Sequence, residues 1–203
     1  MRLLRPTALL GLILALVLTG CGGDQTPAAK PTTTPTSIAR LDAGSMRVVR
    51  VAFCDLVPRT AVRSALGAGP TLSRSWRNGD RLREAGRQIG HEFGCAWFGP
   101  HRRAARAWVF AQPVRPTFAT GLVRRAGQEH GCRGTASRLF GTPSVVQTCR
   151  VAPGVQRIRR AGLFGDTWLT CEVTGPVSTS LRARTDRWCV SVASALNAGR
   201  TSD

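Results

Sequence analysis

Lysine is almost missing from this chain. Of its 29 basic residues only Lys30 is a lysine, and it sits in a Pro/Thr-rich stretch near the amino terminus. The remainder therefore has no amine for a Schiff base, a Ser–Lys pair or a phosphate-cradling loop. Other catalytic signatures are absent too. There is no Gly-x-Ser-x-Gly elbow, and His91-Glu92 continues as Phe93-Gly94-Cys95 rather than completing a zinc-protease motif. No Cys-x-x-Cys occurs, which argues against a dithiol redox site. The apolar run Ala8–Leu18 falls short of the roughly 20 residues a spanning helix needs.

Acid is scarce as well: 11 acidic residues against 29 basic ones give a net charge of +18. Between residues 46 and 200 the acids are Asp55, Asp80, Glu84, Glu92, Glu129, Asp166, Glu172 and Asp186. No local spacing among them marks a pair of carboxylates for glycoside hydrolysis. Asp55 and Asp186 read as helix-start acids, which complement the positive end of a helix dipole. The arginines are scattered, with the pairs Arg102-Arg103, Arg124-Arg125 and Arg159-Arg160 and no longer basic run. That pattern fits the codon usage of a GC-rich genome as well as an anion-binding surface.

The amino terminus is more informative. Arg2 and Arg5 precede the apolar Ala8–Leu18, and Leu18-Thr19-Gly20-Cys21 follows without an Ala-x-Ala site. These four residues resemble the lipobox of bacterial lipoproteins. In that family the cysteine takes a diacylglycerol, and cleavage leaves it as the acylated amino terminus. The resemblance implies a signal peptide over 1–20, lipidation of Cys21, and a protein held on the extracytoplasmic face of the cell membrane. Two or more acyl chains anchor stably where one does not.

Residues 21–45 are rich in Pro, Thr, Ala and Gly, including Thr32-Thr33-Thr34-Pro35-Thr36-Ser37, and are expected to form a flexible linker. One domain is expected over 46–203. Its length suffices for a hydrophobic core. Arg47–Phe53 reads as a strand or extended lead-in. A helix should follow Pro58, with Ala61, Val62, Ala65 and Leu66 on its apolar face and Gly67 to stop it.

Residues 69–90 read as a long connection carrying Trp76. Strands are expected at 94–98, 105–111, 144–151, 155–158 and 167–173. A helix is expected over 116–126 on Phe118, Leu122 and Ala126, and residues 127–134 should interrupt the pattern. A last helix should begin at Asp186, carry Cys189, Val192, Ala193 and Leu196 on one face, and close at Gly199. The fold class is α+β: a mainly antiparallel sheet with two or three packed helices.

Beyond Cys21 the chain has six cysteines, Cys54, Cys95, Cys132, Cys149, Cys171 and Cys189. An even number in an exported domain implies disulfides. Pairing neighbours in sequence gives Cys54–Cys95, Cys132–Cys149 and Cys171–Cys189, the set favoured here because each helix–sheet unit then has its own bridge. A zinc site drawn from His91, Cys95, His130 and Cys132 would require reduced thiols outside the cell and would strand Cys54. Trp97, Trp168 and Trp188 adjoin cysteines in sequence and are expected to pack against disulfides. Trp76 and Trp108 are free of that role and remain candidates for a stacking surface.

Lipobox, Thr/Pro spacer, Cys54-Asp55-Leu56 before a helix and Cys95-Ala96-Trp97 on a strand together resemble the small actinobacterial envelope lipoproteins of uncharacterised function. The resemblance spans most of 46–197. It implies a compact disulfide-bonded α+β domain at the membrane surface and brings no catalytic residue, cofactor or metal. The expected function is therefore a non-enzymatic binding or interaction module of the envelope. Its partners would be the membrane through the lipid anchor, and an anionic lipid or envelope polymer; nucleic acid is disfavoured by location. The alternatives are an enzyme acting on wall glycan, using acids such as Asp166 or Glu172, and a structural or regulatory accessory of a membrane complex. A deep apolar cavity would mark a lipid carrier, convergent carboxylates an enzyme, and a flat basic face an anionic membrane surface.

Overall fold

The computed structural model describes residues 37–82 and 88–198. Cys21, the signal segment and Gly199 lie outside the described residues. Packing begins before Met46: Ile38, in a short 3-10 turn, is buried in the core, and Leu41 and Ala43 pack against it. The chain then runs extended past Val48, which bridges to Asn197 at the far end of the domain. Cys54–Leu56 is a second 3-10 turn rather than part of the following helix.

Helix α1 spans Arg59–Leu66. Pro58 precedes it with its φ already near the helical value, and Gly67 ends it at φ 70°, donating its N–H to the Arg63 carbonyl. Strand β1 is Leu72–Trp76, β2 Arg81–Leu82 and β3 Gln88–Ile89. The stretch expected to be a connection thus holds an edge strand and a short hairpin. Leu72-Ser73-Arg74-Ser75-Trp76 is mostly exposed, so it lacks the apolar alternation that marks a half-buried strand.

Strands β4 (Glu92–Gly99) and β5 (Arg103–Phe110) form a hairpin. Helix α2 spans Pro116–Gln128 with proline in its first turn. Its inward face is Ala119, Leu122, Val123 and Ala126. Phe118, expected on that face, is half exposed beneath the Arg125 guanidinium. Strand β6 (Cys132–Ser137) occupies residues expected to break the pattern. Strands β7 (Ser144–Ala152), β8 (Val155–Phe164) and β9 (Thr167–Pro176) follow, then helix α3, Ser180–Ala195. α3 starts well before Asp186, because Leu181 and Thr185 extend the buried stripe of Trp188, Cys189 and Val192 back through an arginine-rich turn. Asp186 therefore sits mid-helix and pairs with Arg160, not with a helix dipole.

The seven-stranded sheet has the order β1-β4-β5-β9-β8-β7-β6, with every pair antiparallel. Alternation along the strands sends two sets of side chains to opposite faces. On one face Cys95, Trp97, Ala105, Ala107, Val109, Leu169, Cys171 and Val173 meet α1, α3 and the amino-terminal segment in the main core. Trp97 packs edge-on against Trp188, whose Nε1 donates to the Arg106 carbonyl at 3.0 Å. On the other face α2 covers β6, β7 and part of β8 over Val145, Ala161, Leu163 and Trp168. Trp168 belongs to this second cluster and points away from the neighbouring Cys171 side chain.

Three disulfides join Cys54 to Cys95, Cys132 to Cys149 and Cys171 to Cys189, the favoured pairs. The first and third tie the 3-10 turn and α3 onto the sheet through sulfurs facing the main core. The second links residues directly opposite on β6 and β7. Among the described residues no helix is long and apolar enough to cross a membrane.

The bridges should differ in weight. The Cys54–Cys95 loop spans 41 residues and the Cys132–Cys149 loop 17; loop entropy alone assigns them about 4 and about 3 kcal/mol. Replacing Cys54 and Cys95 together by alanine should lower the denaturant unfolding free energy more than replacing Cys132 and Cys149. The reverse order would contradict this account.

Candidate functional site

The face that α2 half covers is built differently beyond its edge. There β1, β4, β5, β9 and β8 present a cleft of about 850 Å³, rimmed by Asp80, Arg81 and Leu82 around β2. Its floor is set by register. Arg159 on β8 stands opposite Glu172 on β9, and Glu172 stands opposite Arg106 on β5. Arg106 stands opposite Ala96 on β4, and Ala96 opposite Arg74 on β1. One cross-strand row thus reads Arg–Glu–Arg–Ala–Arg over five strands.

Glu172 is the centre of the row. It is 1 % exposed in the middle of a sheet, where an unpaired carboxylate would be very costly. Arg159 Nε donates to its Oε2 at 2.8 Å, Arg157 Nε lies 3.5 Å from the same oxygen, and Arg106 Nη1 lies 3.7 Å from Oε1. A second carboxylate, Glu129 at the end of α2, shares two of these cations. It accepts from Arg157 Nη2 at 3.0 Å and from Gln147 Nε2 at 2.8 Å, and lies 3.6 Å from Arg159 Nη1. Burial pushes the Glu129 carboxyl up, but the Gln147 hydrogen bond and the Arg159 and Arg157 guanidiniums together hold it below its ordinary value.

The next row along the strands is aromatic. Trp108 stands opposite Gly94, and Gly94 opposite Trp76. The Trp76 indole lies flat over Gly94, where any Cβ would collide with its six-membered ring. That glycine is what allows the ring to rest on the sheet. Trp76 Nε1 donates to Glu92 Oε1 at 3.0 Å, and the Arg159 guanidinium stacks 5.3 Å from the Trp108 ring centre. Arg74 and Arg106 both approach the Phe98 ring, at 5.6 and 5.4 Å. Burial raises the Glu92 carboxyl above its ordinary value, a shift the Trp76 hydrogen bond only partly opposes.

The two tryptophans that sequence left uncommitted, Trp76 and Trp108, are the two in the cleft. Of the acids considered for catalysis, Glu172 lies in its floor and Asp166 does not. Asp166 sits in the β8–β9 turn, bound by Arg50 Nη1 at 2.6 Å, and that partner holds its carboxyl below the ordinary value. Glu84 lies outside the described residues. Cys95 and Cys132 are on distant strands, each in a disulfide, so the zinc set considered from sequence is not assembled.

The arginine row itself escaped sequence reasoning. Its only sequence trace is the period-two spacing of Arg157 with Arg159 and of Arg106 with Trp108, which puts each pair on one face of its strand.

No model of a known protein family matches the chain, and no curated protein matches it in sequence. Among solved structures it is similar to the extracellular domain of PknH from Mycobacterium tuberculosis. The two share 14 % identity and superpose with a TM-score of 0.46 over 75 % of this chain and 98 % of the other.

Glu92 gives the site a pH signature. An acid whose folded pKa exceeds its unfolded value favours folding when protonated. Its cost to the fold begins as pH rises through the unfolded value, near 4.5, and is complete above the raised folded one. Glu92→Gln should therefore gain stability relative to the wild type as pH climbs from 4 to 7, while keeping an acceptor for Trp76. Urea unfolding across that range tests this; a constant difference between the two proteins would contradict it.

Proposed function

We propose that this chain is a membrane-anchored lipoprotein of the bacterial envelope whose folded domain is a non-enzymatic binding module, with the cleft as its ligand site. The observation that carries this reading is the cleft: a polar, arginine-rich floor beside two tryptophans, on a sheet whose other face is closed by helices. Its size matches sites for small ligands, which fall in the range of roughly 300–1,000 Å³. Lipidation at Cys21 is supported by Leu18-Thr19-Gly20-Cys21 after a basic and apolar segment. Three disulfides favour an oxidising compartment and so agree with an extracytoplasmic face.

The acids of the cleft speak for binding rather than hydrolysis. Glu172 is buried and engaged by three guanidiniums, which occupy both of its carboxylate oxygens. Glu92 has the raised pKa of a general acid, but it is four residues and two strands away from the Glu172 row. That places their Cα atoms about 16 Å apart, and each carboxylate is already engaged, Glu92 by the Trp76 indole and Glu172 by its arginines. Charged side chains outnumber apolar ones in the lining, with five arginines and three acids against Trp76, Trp108, Leu82 and Ala96, which favours a ligand with polar groups, such as an envelope polymer or a lipid headgroup.

Native mass spectrometry of the protein purified from its own membranes tests the reading. It should show a small non-covalent adduct that is released intact and is lost in Trp108→Ala. Cys21→Ser should shift the protein from the membrane to the soluble fraction. An adduct indifferent to Trp108, a ligand recovered cleaved, or undiminished membrane retention of the Cys21 variant would each contradict the corresponding part.

A further inference from the structure

Among the described residues, every buried or half-buried arginine but two has a carboxylate partner. Arg50 pairs with Asp166, Arg160 with Asp186, and Arg106, Arg157 and Arg159 with Glu172 or Glu129. The two exceptions, Arg103 and Arg184, lie together. Arg103 opens β5 on the face that Ala105, Ala107 and Val109 turn to the main core, the face opposite the cleft. Its stem runs against Gly175, with Cγ 3.6 Å from where a Cβ on that glycine would sit. Its Nη1 donates to the Leu66 carbonyl at 3.0 Å, and its Nε is buried with no acceptor.

Arg184 comes from α3. A Cβ on Gly67, the residue that ends α1, would lie 2.7 Å from Arg103 Nη1 and 4.0 Å from Arg184 Nη1, so the two guanidiniums meet over that glycine. Arg187, three residues on and on the same side of α3, adds a third positive charge. Burial, and then the charges of Arg103 and Arg187, push the Arg184 guanidinium below its ordinary value. Like charges gathered out of water cost the fold free energy that an anion between them would recover. The helix adds to this field. Arg184 Nη2 turns back to Ser180 Oγ at 3.5 Å in the first turn of α3, which holds no acid and which Thr179 does not cap with its side chain.

We infer that Arg103, Arg184 and Arg187 form a phosphate-binding site at the amino-terminal end of α3, on the side of the sheet away from the cleft. Three cations suit a tetrahedral oxyanion with up to two charges, whereas a carboxylate brings one charge and two oxygens. A merely solvated arginine face would need neither the buried Nε of Arg103 nor the meeting of guanidiniums over Gly67. The phosphate group can belong to a free phosphate or monoester, or to the headgroup of an anionic lipid.

Calorimetric titration of the full chain in an uncharged detergent tests the inference, with inorganic phosphate and dihexanoyl phosphatidylglycerol as probes at ionic strength matched with sodium chloride. Dihexanoyl phosphatidylcholine, whose phosphate is offset by its own choline, is the control. Tighter binding of inorganic phosphate assigns the site to free phosphate or a monoester, and tighter binding of the glycerol lipid to a membrane headgroup. At least one probe should bind ten-fold or more tightly than the control. Arg184→Gln and Arg187→Gln should each weaken that probe about ten-fold, the loss of one charge-assisted contact. Arg103→Gln should do the same; if it does not fold, the two α3 variants carry the comparison.

Arg184→Gln should also raise the thermal midpoint in chloride, by relieving the repulsion, and abolish the further rise that phosphate gives the wild type. An arginine with a purely structural role would lower that midpoint. Trp108→Ala in the cleft and Arg124→Ala on the exposed side of α2 should bind phosphate as the wild type does. No binding of either probe at millimolar concentrations, binding no tighter than the control, indifference to both α3 variants, or loss of binding in Trp108→Ala would overturn the inference. The reading of the cleft stands or falls separately, on its native adduct.

Discussion

Glu172 is a carboxylate placed where a β-sheet protein would ordinarily put an apolar side chain, in the middle of its central strand. A buried charge is tolerated only if opposite charges meet it with good geometry. Here the neighbouring strands supply them. Arg159 and Arg106 stand directly across from it, and Arg157 reaches it from one step along β8. The requirement constrains register: a slip of one residue in β8 would turn Arg157 and Arg159 to the apolar face, and a slip in β5 would do the same to Arg106, each taking cations away from Glu172. It also suits arginine rather than lysine, since a planar guanidinium can serve Glu172, Glu129 and an aromatic face from one position, as Arg159 does.

That charged row explains the asymmetry of the sheet. One face offers Ala105, Ala107, Val109, Leu169 and Val173 and is sealed by α1 and α3. On the other, an apolar patch around Val145, Ala161, Leu163 and Trp168 is enough to hold α2, and coverage stops where the arginines begin. Gln147 marks the border: fully buried on β7, it lies in register with Arg159 and donates to the Ala126 carbonyl and to Glu129. Beyond it the sheet is open, and the open part is the cleft. Disulfides fasten the covered face, through Cys54–Cys95 and Cys171–Cys189.

Elements with a local signature were legible in the sequence. Pro58 and Gly67 bracket α1, apolar alternation marks β4, β5, β7 and β9, and neighbouring cysteines pair. Elements whose partners lie far away in the chain were not. Strand β1 is polar because one of its faces looks into the cleft and it lies at the sheet edge. The start of α3 is masked by Arg182 and Arg184, and only Leu181 and Thr185 betray it. Asp186 looks like a cap until Arg160 is seen across from it. The site needed the register most of all, since Arg74, Arg106, Arg159 and Glu172 come together only when five strands are aligned. What sequence could supply was the suspicion attached to Trp76 and Trp108, which had no cysteine to pack against.

The central claim is that Glu172 organises the cleft floor through its arginines, and Glu172→Gln tests it directly. The substitution keeps the shape but removes the charge, leaving Arg106, Arg157 and Arg159 to repel one another. Equilibrium urea unfolding at neutral pH should show a loss of about 2 kcal/mol or more, with a change in tryptophan fluorescence as Arg159 shifts over Trp108. A variant within about 0.5 kcal/mol of the wild type, the range of ordinary surface substitutions, with unchanged fluorescence would contradict the account.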